Sequence, residues 1–276
     1  MSSVHLIAQN GFATGTNNLY HRARPSYIPT ALTHIRNALG SKAPFNVVEI
    51  GSGTGIFTQA FLAHPNWSSD IHQLKAVEPS QGMRTTFSQH VTDKRVTIQE
   101  GTFERTGIDD GWADLIVIAQ AFHWCPDYDR ASAEFARILR PAGVVAFLWN
   151  LEDRGRAKWV AQVRERIERH EAGSPQFRLM LWRQTFETTS YQKYFQAPVE
   201  KIWSVVFPAT VDIAVDRACS KSYIAVLEDD EKENVTHEIK QIVDRGEDRV
   251  WIDEEAGVFE YPYQTWVVLA RLGKAF

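Results

Sequence analysis

The sequence predicts an α/β protein built on a doubly wound, mostly parallel sheet with a helical lid insertion. Two observations carry this reading. Short apolar runs alternate with helix-period segments from 46 to 149, and "VVEIGSGTGIFT" (47–58) sets three glycines at the end of the first run. Strands alternating with helices of this length call for a parallel sheet covered on both faces. With 276 residues the chain can bury a full core.

"FNVVEI" (45–50) reads as a buried strand, and "TGIFTQAFLAH" as a helix with Ile56, Phe57, Ala60 and Phe61 on one face. "IHQLKAVEP" is a second strand ending at Glu78 and Pro79. In "SQGMRTTFSQHV", Ser80 takes the cap position and Met83 and Phe87 share a face. "RVTIQEG" and "WADLIVIAQA" supply strands three and four, and "YDRASAEFARILR" a helix stopped by Pro141. "GVVAFLWN" is strand five. The rhythm changes after Asn150. "RGRAKWVAQVRERIERHEAG" is an amphipathic helix with Trp159, Val160, Val163 and Ile167 inward and Gly173 as terminator. Its "RERIER" run reads as a solvated face. "VEKIWSVVFP" is a strand, "EDDEKENVTHEIKQIVDRG" a helix with Val235, Ile239, Ile242 and Val243 inward, and "YQTWVVLARL" the seventh and last strand. We expect one domain over 1–276: an N-terminal lid segment (1–44), a core (45–150), a helical cap inserted at 151–198, and a C-terminal completion of the sheet (199–276).

Hydrophobic residues at 44% and charged residues at 23% are ordinary for a globular chain. A net charge of −4 argues against a general nucleic-acid binder. Cys125 and Cys219 are too few for a disulfide framework or a thiolate metal site, and the nine histidines show no metal-ligand spacing. The N-terminus does not read as a secretory signal, and no apolar run approaches the ~20 residues that span a bilayer. The expectation is a cytoplasmic protein with no metal and no membrane or nucleic-acid partner.

The glycine loop follows strand one at a carboxyl edge, where doubly wound sheets bind ligands. A P-loop needs Lys and Ser or Thr after its last glycine, and Ile56-Phe57 cannot serve. The dinucleotide fingerprint fails at Ile56. Glu78, at the end of strand two, can accept both hydroxyls of a ribose. Glu49 in strand one is a buried charge that calls for a cationic or hydrogen-bonding partner. A ligand with a ribose, no pyrophosphate and positive groups meets all of these demands, and S-adenosylmethionine is such a ligand.

"VVEIGSGTG", "AVEPSQGMR", "EGTFERTGIDDGWADLIVIAQAFHW" and "ARILRPAGVVAFLWN" resemble, in order, the motifs of class I S-adenosylmethionine-dependent methyltransferases, whose fold is Rossmann-like. "YHRARPSYIP", "AFHW" and "YQTWVVLARL" are similar to a fungal and bacterial small-molecule subgroup that includes trans-aconitate methyltransferase-like enzymes. The resemblance implies that Gly51, Gly53 and Gly55 line the methionine part of the cofactor, with Glu49 behind them, while Glu78 takes the ribose. Pro79 and Met83 would flank the adenine, with Thr102 and Phe103 at its edge, where an acidic residue common in the family is missing. Gln120 and Ala121 would lie beside the sulfonium, and Tyr20 would close over the cofactor.

The implied function is methyl transfer to a small molecule, with oxygen (a carboxylate or hydroxyl) as the favoured acceptor. Nitrogen, sulfur and carbon acceptors stay open, as does a cofactor-binding protein without transfer. His123 reads either as a general base or as a packing histidine beside Trp124. Arg24, Trp124, Trp149, Asn150 and Trp182 are the candidate acceptor contacts. Arg22 could share in holding an anion, and Trp159, Phe177, Met180 and Phe186 could belong to the lid.

Overall fold

The structure is a computed structural model and describes residues 17–40 and 43–273; residues 1–16 of the expected lid segment, His5 among them, lie outside the described residues. Two helices, α1 (Asn17–Ala23) and α2 (Pro29–Ala38), precede the sheet. Pro29 opens α2 where no backbone N–H is needed, and Ala31, Leu32 and Ile35 form its buried stripe. The first four strands follow as read: β1 (Phe45–Ile50), β2 (Ile71–Val77), β3 (Val96–Gln99) and β4 (Ala113–Ala119). Between them lie α3 (Ile56–Ala63), α4 (Pro65–Asp70) and α5 (Gln81–His90). Ser80 caps α5, its hydroxyl accepting the Met83 N–H.

The helix α6 (Tyr128–Ile138) ends three residues before Pro141, and β5 runs from Leu139 to Glu152, longer than its apolar run suggests. Pro141 is tolerated there because the ladder with β4 jumps from Leu139 to Val144, leaving the proline in a bulge that owes no donor. Beyond β5 come α7 (Lys158–Glu168), two 3₁₀ segments (Phe177–Leu179, Leu181–Glu187) and α8 (Thr189–Tyr194). The helix expected to reach Gly173 stops at Glu168, where i→i+3 bonds from the His170 and Glu171 N–H groups tighten its end. The chain continues through β6 (Val199–Ala209), α9 (Val211–Cys219), α10 (Ser222–Ala225), α11 (Asp229–Arg245), β7 (Trp251–Asp253) and β8 (Val258–Arg271).

The sheet therefore has eight strands where seven were expected. The addition, β7, is three exposed residues long, too short to show an alternation. Strand order is β3-β2-β1-β4-β5-β8-β6, with β7 paired to β8; the first five are parallel, and β8 runs antiparallel between β5 and β6. Side chains alternate across it. Val48, Ile116 and Phe147 pack on one face with Phe135, Phe177 and Trp182, whereas Val47, Leu115 and Leu148 pack on the other with Leu32, Phe57 and Trp67. A third core joins Trp159, Val163, Ala214 and Ile239 of the later helices to Phe259, Tyr261 and Tyr263 of β8.

The "RERIER" run is not a solvated face. Arg164 and Arg166 are both buried, because Arg164 lies between Val160 and Ile167 on the inward side of α7. Arg164 pairs with Glu152 at 3.0 Å and Glu168 at 2.7 Å, while Arg166 pairs with Glu238 of α11. Glu152, 1% exposed by side chain, also holds Arg217 of α9 and Lys221, both at 2.9 Å. Burial alone would raise its pKa, but Arg217, Lys221 and Arg164 outweigh that and hold the carboxyl well below its ordinary range. Its stabilisation is thus complete above the ordinary carboxylate pKa and is lost as pH falls through the lowered folded value. Glu152→Ala leaves buried cations uncompensated and should cost about 3–5 kcal/mol in urea unfolding; a loss below about 1 kcal/mol, the worth of an exposed pair, contradicts this account.

Candidate active site

The carboxyl ends of β1, β2, β3 and β4 converge on one edge of the sheet, where the loops after them form a cleft. Gly51 and Gly53 turn the chain there with φ of +71° and +56°, a region that costs glycine little. The Gly51 N–H donates to the Val77 carbonyl at 2.8 Å, which locks the turn to the end of β2. Glu78 completes the lock: Oε2 accepts the Gly53 N–H and Oε1 the Ser80 N–H, each at 2.9 Å. Burial raises the Glu78 carboxyl above its ordinary pKa in spite of these bonds.

The cleft encloses about 710 Å³ and is lined by Gly51, Gly53, Glu78, Pro79, Met83, Thr102, Phe103, Gln120 and Ala121, with Tyr20 and Trp124 at its rim. Glu104, which follows Phe103, lines the same cleft. A Cβ on Gly51 would stand 2.5 Å from that of Ala121, so the wall admits only glycine there. The cradle therefore fits a ligand with a ribose and an apolar ring.

Gly55 has another task. It caps α3 at φ +89°, and its missing Cβ makes room for Val91 and Phe87 of the α5 region at 2.7 and 3.1 Å; it lines neither this cleft nor the cavity beside it. Glu49 is buried, accepts the Thr58 hydroxyl, and faces a smaller pocket continuous with the turn, beside Tyr20, Arg24 and Tyr27. Burial pushes its carboxyl up to about 8, with Thr58 opposing and Glu78 reinforcing the shift.

A second cavity, of about 530 Å³, opens beside the cleft and shares Tyr20, Gln120 and Trp124 with it. Gln120 is the hinge between the two: its backbone is left-handed (φ +58°), and its side-chain amide donates to the Asn150 carbonyl at 2.7 Å. Such an outlier in a non-glycine residue persists only where its surroundings enforce it. Asn150 in turn donates to the Ser26 carbonyl at 3.1 Å, tying the N-terminal segment over the edge.

Arg24, His123, Trp124 and Asn150 line this cavity, and with them four residues that the sequence reading missed: Arg164, Arg178, Lys221 and Tyr223. Arg164 was legible, since it falls on the apolar stripe of its helix. Lys221 and Tyr223, inside "CSKSYIA", carried no periodic signal. Arg22 is exposed and paired with Asp216 at 2.8 Å, away from the cavity.

Three expected roles change. His123 accepts the Trp149 indole N–H on Nδ1 at 3.3 Å, so the neutral ring carries its proton on Nε2. Burial, and then Lys221 and Arg24, depress its pKa to about 3. A ring so weakly basic takes up no second proton at neutral pH and makes a poor general base. Trp149 and Trp182 are fully buried, tilted against each other at 4.6 Å in the core under the site, and line neither cavity. Trp149 reaches the second cavity through His123 and through Phe177, on which it stacks at 4.7 Å.

Residues 48–147 match the family model described as a methyltransferase domain. Over these residues the chain is similar to methyltransferase domains. An uncharacterised methyltransferase of Mycobacterium tuberculosis is 33% identical over 150 residues, covering 54% of this chain and 56% of the relative. This chain thus spans about half the length of the mycobacterial relatives it matches. An uncharacterised methyltransferase-like protein of Schizosaccharomyces pombe is 27% identical over 227 residues, 81% of this chain and 82% of the relative. Among solved structures, the YcgJ protein of Bacillus subtilis shares the fold, with a TM-score of 0.53 and 18% identity over 89% of this chain and 99% of its own.

Among the described residues, no cluster of His, Cys, Asp and Glu could hold a metal ion, and no helix is long and apolar enough to cross a membrane. The two glycine roles are separable. Gly51→Ala should weaken S-adenosylhomocysteine binding by about tenfold or more, a loss of ~1.4 kcal/mol. Gly55→Ala should lower stability by about 1–3 kcal/mol through the strained φ while leaving the affinity of the folded protein unchanged. Calorimetry paired with urea unfolding distinguishes them, and equal losses of affinity in both variants would contradict the assignment.

Proposed function

We propose that this chain transfers a methyl group from S-adenosylmethionine to an oxygen of a small anionic acceptor, a carboxylate above a hydroxyl. The observation that carries this reading is the junction of the two cavities at Tyr20, Gln120 and Trp124, one suited to the cofactor and the other lined by cations. When bound, the cofactor supplies an electrophilic methyl on a sulfonium.

The chain's own residues then bind and align. Each Glu78 oxygen already accepts one backbone N–H and keeps capacity for a ribose hydroxyl. Pro79, Met83, Thr102 and Phe103 offer the apolar walls for the adenine, and Gly51 and Gly53 the bare backbone for the methionine end. Glu49, on the far side of the turn, can ionise against an entering ammonium. Gln120, Ala121 and Tyr20 stand where the sulfonium should lie, facing the second cavity. There Arg24, the His123 Nε2–H, Trp124 and Asn150 orient the acceptor; Trp149 and Trp182 support them from the core. Such alignment of nucleophile and electrophile can contribute on the order of 7–11 kcal/mol.

A carboxylate acceptor suits this site because it arrives ionised and asks for no general base, which His123 is not built to be. Nitrogen, sulfur or carbon acceptors, or binding without transfer, are what a failed transfer assay would leave. We further infer that 1–276 acts as one unit in the cytoplasm. Supporting this, strands from both sides of the 151–198 segment join one sheet, and both cysteines are free thiols.

Screening small carboxylic acids, phenols and amines with labelled S-adenosylmethionine tests the reading, with Glu78→Ala in parallel. Labelled methyl ester formation, lost together with cofactor binding in the variant, is the expected result. Transfer to amines alone would overturn the acceptor class, and a wild-type protein that binds no S-adenosylmethionine would overturn the reading as a whole.

A further inference from the structure

The cavity beyond the junction holds more buried positive charge than its own carboxylates neutralise. Glu152 on β5 faces Arg164 of α7, Arg217 of α9 and Lys221, and Arg24 adds a fourth cation from the N-terminal segment. Glu168 occupies the other edge of Arg164 at 2.7 Å, and Arg217 also donates from Nε to the neutral Tyr263 hydroxyl at 2.9 Å. The His123 ring on the remaining side adds no charge.

Guanidinium groups keep their protons at any ordinary pH. With Arg178, which pairs with Glu168 and Glu171, the arginines Arg24, Arg164, Arg178 and Arg217 outnumber the carboxylates Glu152, Glu168 and Glu171 before Lys221 is counted. Lys221, 7% exposed, is the one cation in the group that can shed a proton. Burial first, then Arg217, drives its amine well below the ordinary lysine range, with Glu152 pulling the other way.

A second observation points to a ligand. The Tyr223 hydroxyl and the Arg24 Nε–H both belong to residues lining this cavity, and neither has a hydrogen-bond partner among the described residues. Tyr223 is only 2% exposed, so its hydroxyl is a buried polar group whose desolvation nothing offsets. An oxyanion with several acceptor lone pairs would satisfy both donors at once.

We propose that Lys221 is an uncharged amine in the anion-free protein and takes up one proton as a carboxylate or phosphate group enters this cavity, so that acceptor binding is proton-coupled. The inference rests on the reading of this cavity as the acceptor site. The proton comes from the solvent and only an N–H bond forms. The anion's negative charge compensates the new ammonium, whose three donors serve both Glu152 and the ligand. Apparent anion affinity should consequently fall by up to about tenfold per pH unit between the pKa that Lys221 has in the free protein and the higher one it has in the complex, and level off above the latter. Lys221 becomes a specificity residue: it favours acceptors that carry an anionic group.

The test is titration calorimetry of the full chain with succinate and, separately, inorganic phosphate, in buffers of differing ionisation enthalpy. The expected result is a buffer-dependent heat corresponding to uptake of about one proton per anion. Whichever anion binds identifies the carboxylate or phosphate source. Lys221→Arg should bind the same anion with no uptake. Lys221→Gln, a smaller neutral side chain, should lose both the uptake and most of the affinity. A buffer-independent heat in the wild type, an uptake that survives in Lys221→Arg, or failure of both anions to bind overturns the proposal. None of these readouts uses the methyl donor. Proton-coupled anion binding without methyl transfer would keep the site and sink the methyltransferase reading, whereas methyl transfer with buffer-independent binding would do the reverse.

Discussion

One buried carboxylate holds the second half of this molecule to the first. Glu152 ends the long strand β5, and its two oxygens meet Arg164, Arg217 and Lys221, which arrive from separate segments. Without that anion Arg164 and Arg217 would lie in a low-dielectric interior with only Glu168 and the Tyr263 hydroxyl as their other partners there. The same grouping sets the character of the neighbouring cavity. Cations gathered around one carboxylate leave a surplus, and the surplus faces the place where the loops after β4 and β5 meet.

The cofactor side depends on a smaller constraint of the same kind. Parallel strands leave their carboxyl ends open, and the turn after β1 must reverse direction without covering that edge. Left-handed glycines make the turn, and Glu78 fixes it by accepting one N–H from each of two loops. Both sites are thus organised by carboxylates with complementary jobs, one pinning backbone donors and the other pinning side-chain cations. Gln120 stands between them, strained and bonded to Asn150, so the two cavities are placed relative to each other by a single short stretch after β4.

Much of this was legible in the sequence because it is local. Strand runs, the Ser80 cap and the glycine turn each depend on neighbours within a few residues, and Glu78 follows from its place at a strand end. What escaped was long-range or too short to show a period. β7 has three residues, and the bulge that admits Pro141 into β5 exists only through its pairing with β4. Gly55 looked like a ligand glycine because spacing cannot tell a bare cleft wall from a helix-packing contact. Charge was the hardest to place. "RERIER" reads as solvent-facing by composition, yet Arg164 sits on the apolar stripe and finds its partner twelve residues back, at Glu152. His123 drew attention as a titratable group, and only its burial beside Trp149, Lys221 and Arg24 shows that it remains a neutral donor.

The central claim is that methyl donor and acceptor meet at the junction of the two cavities. The most direct measurement is a crystal structure of the protein with S-adenosylhomocysteine bound. The account predicts the ribose hydroxyls on Glu78 and the thioether sulfur beside Gln120 and Ala121, facing the cavity lined by Arg24 and Lys221. A ribose held elsewhere, or a sulfur turned away from that cavity, would contradict it.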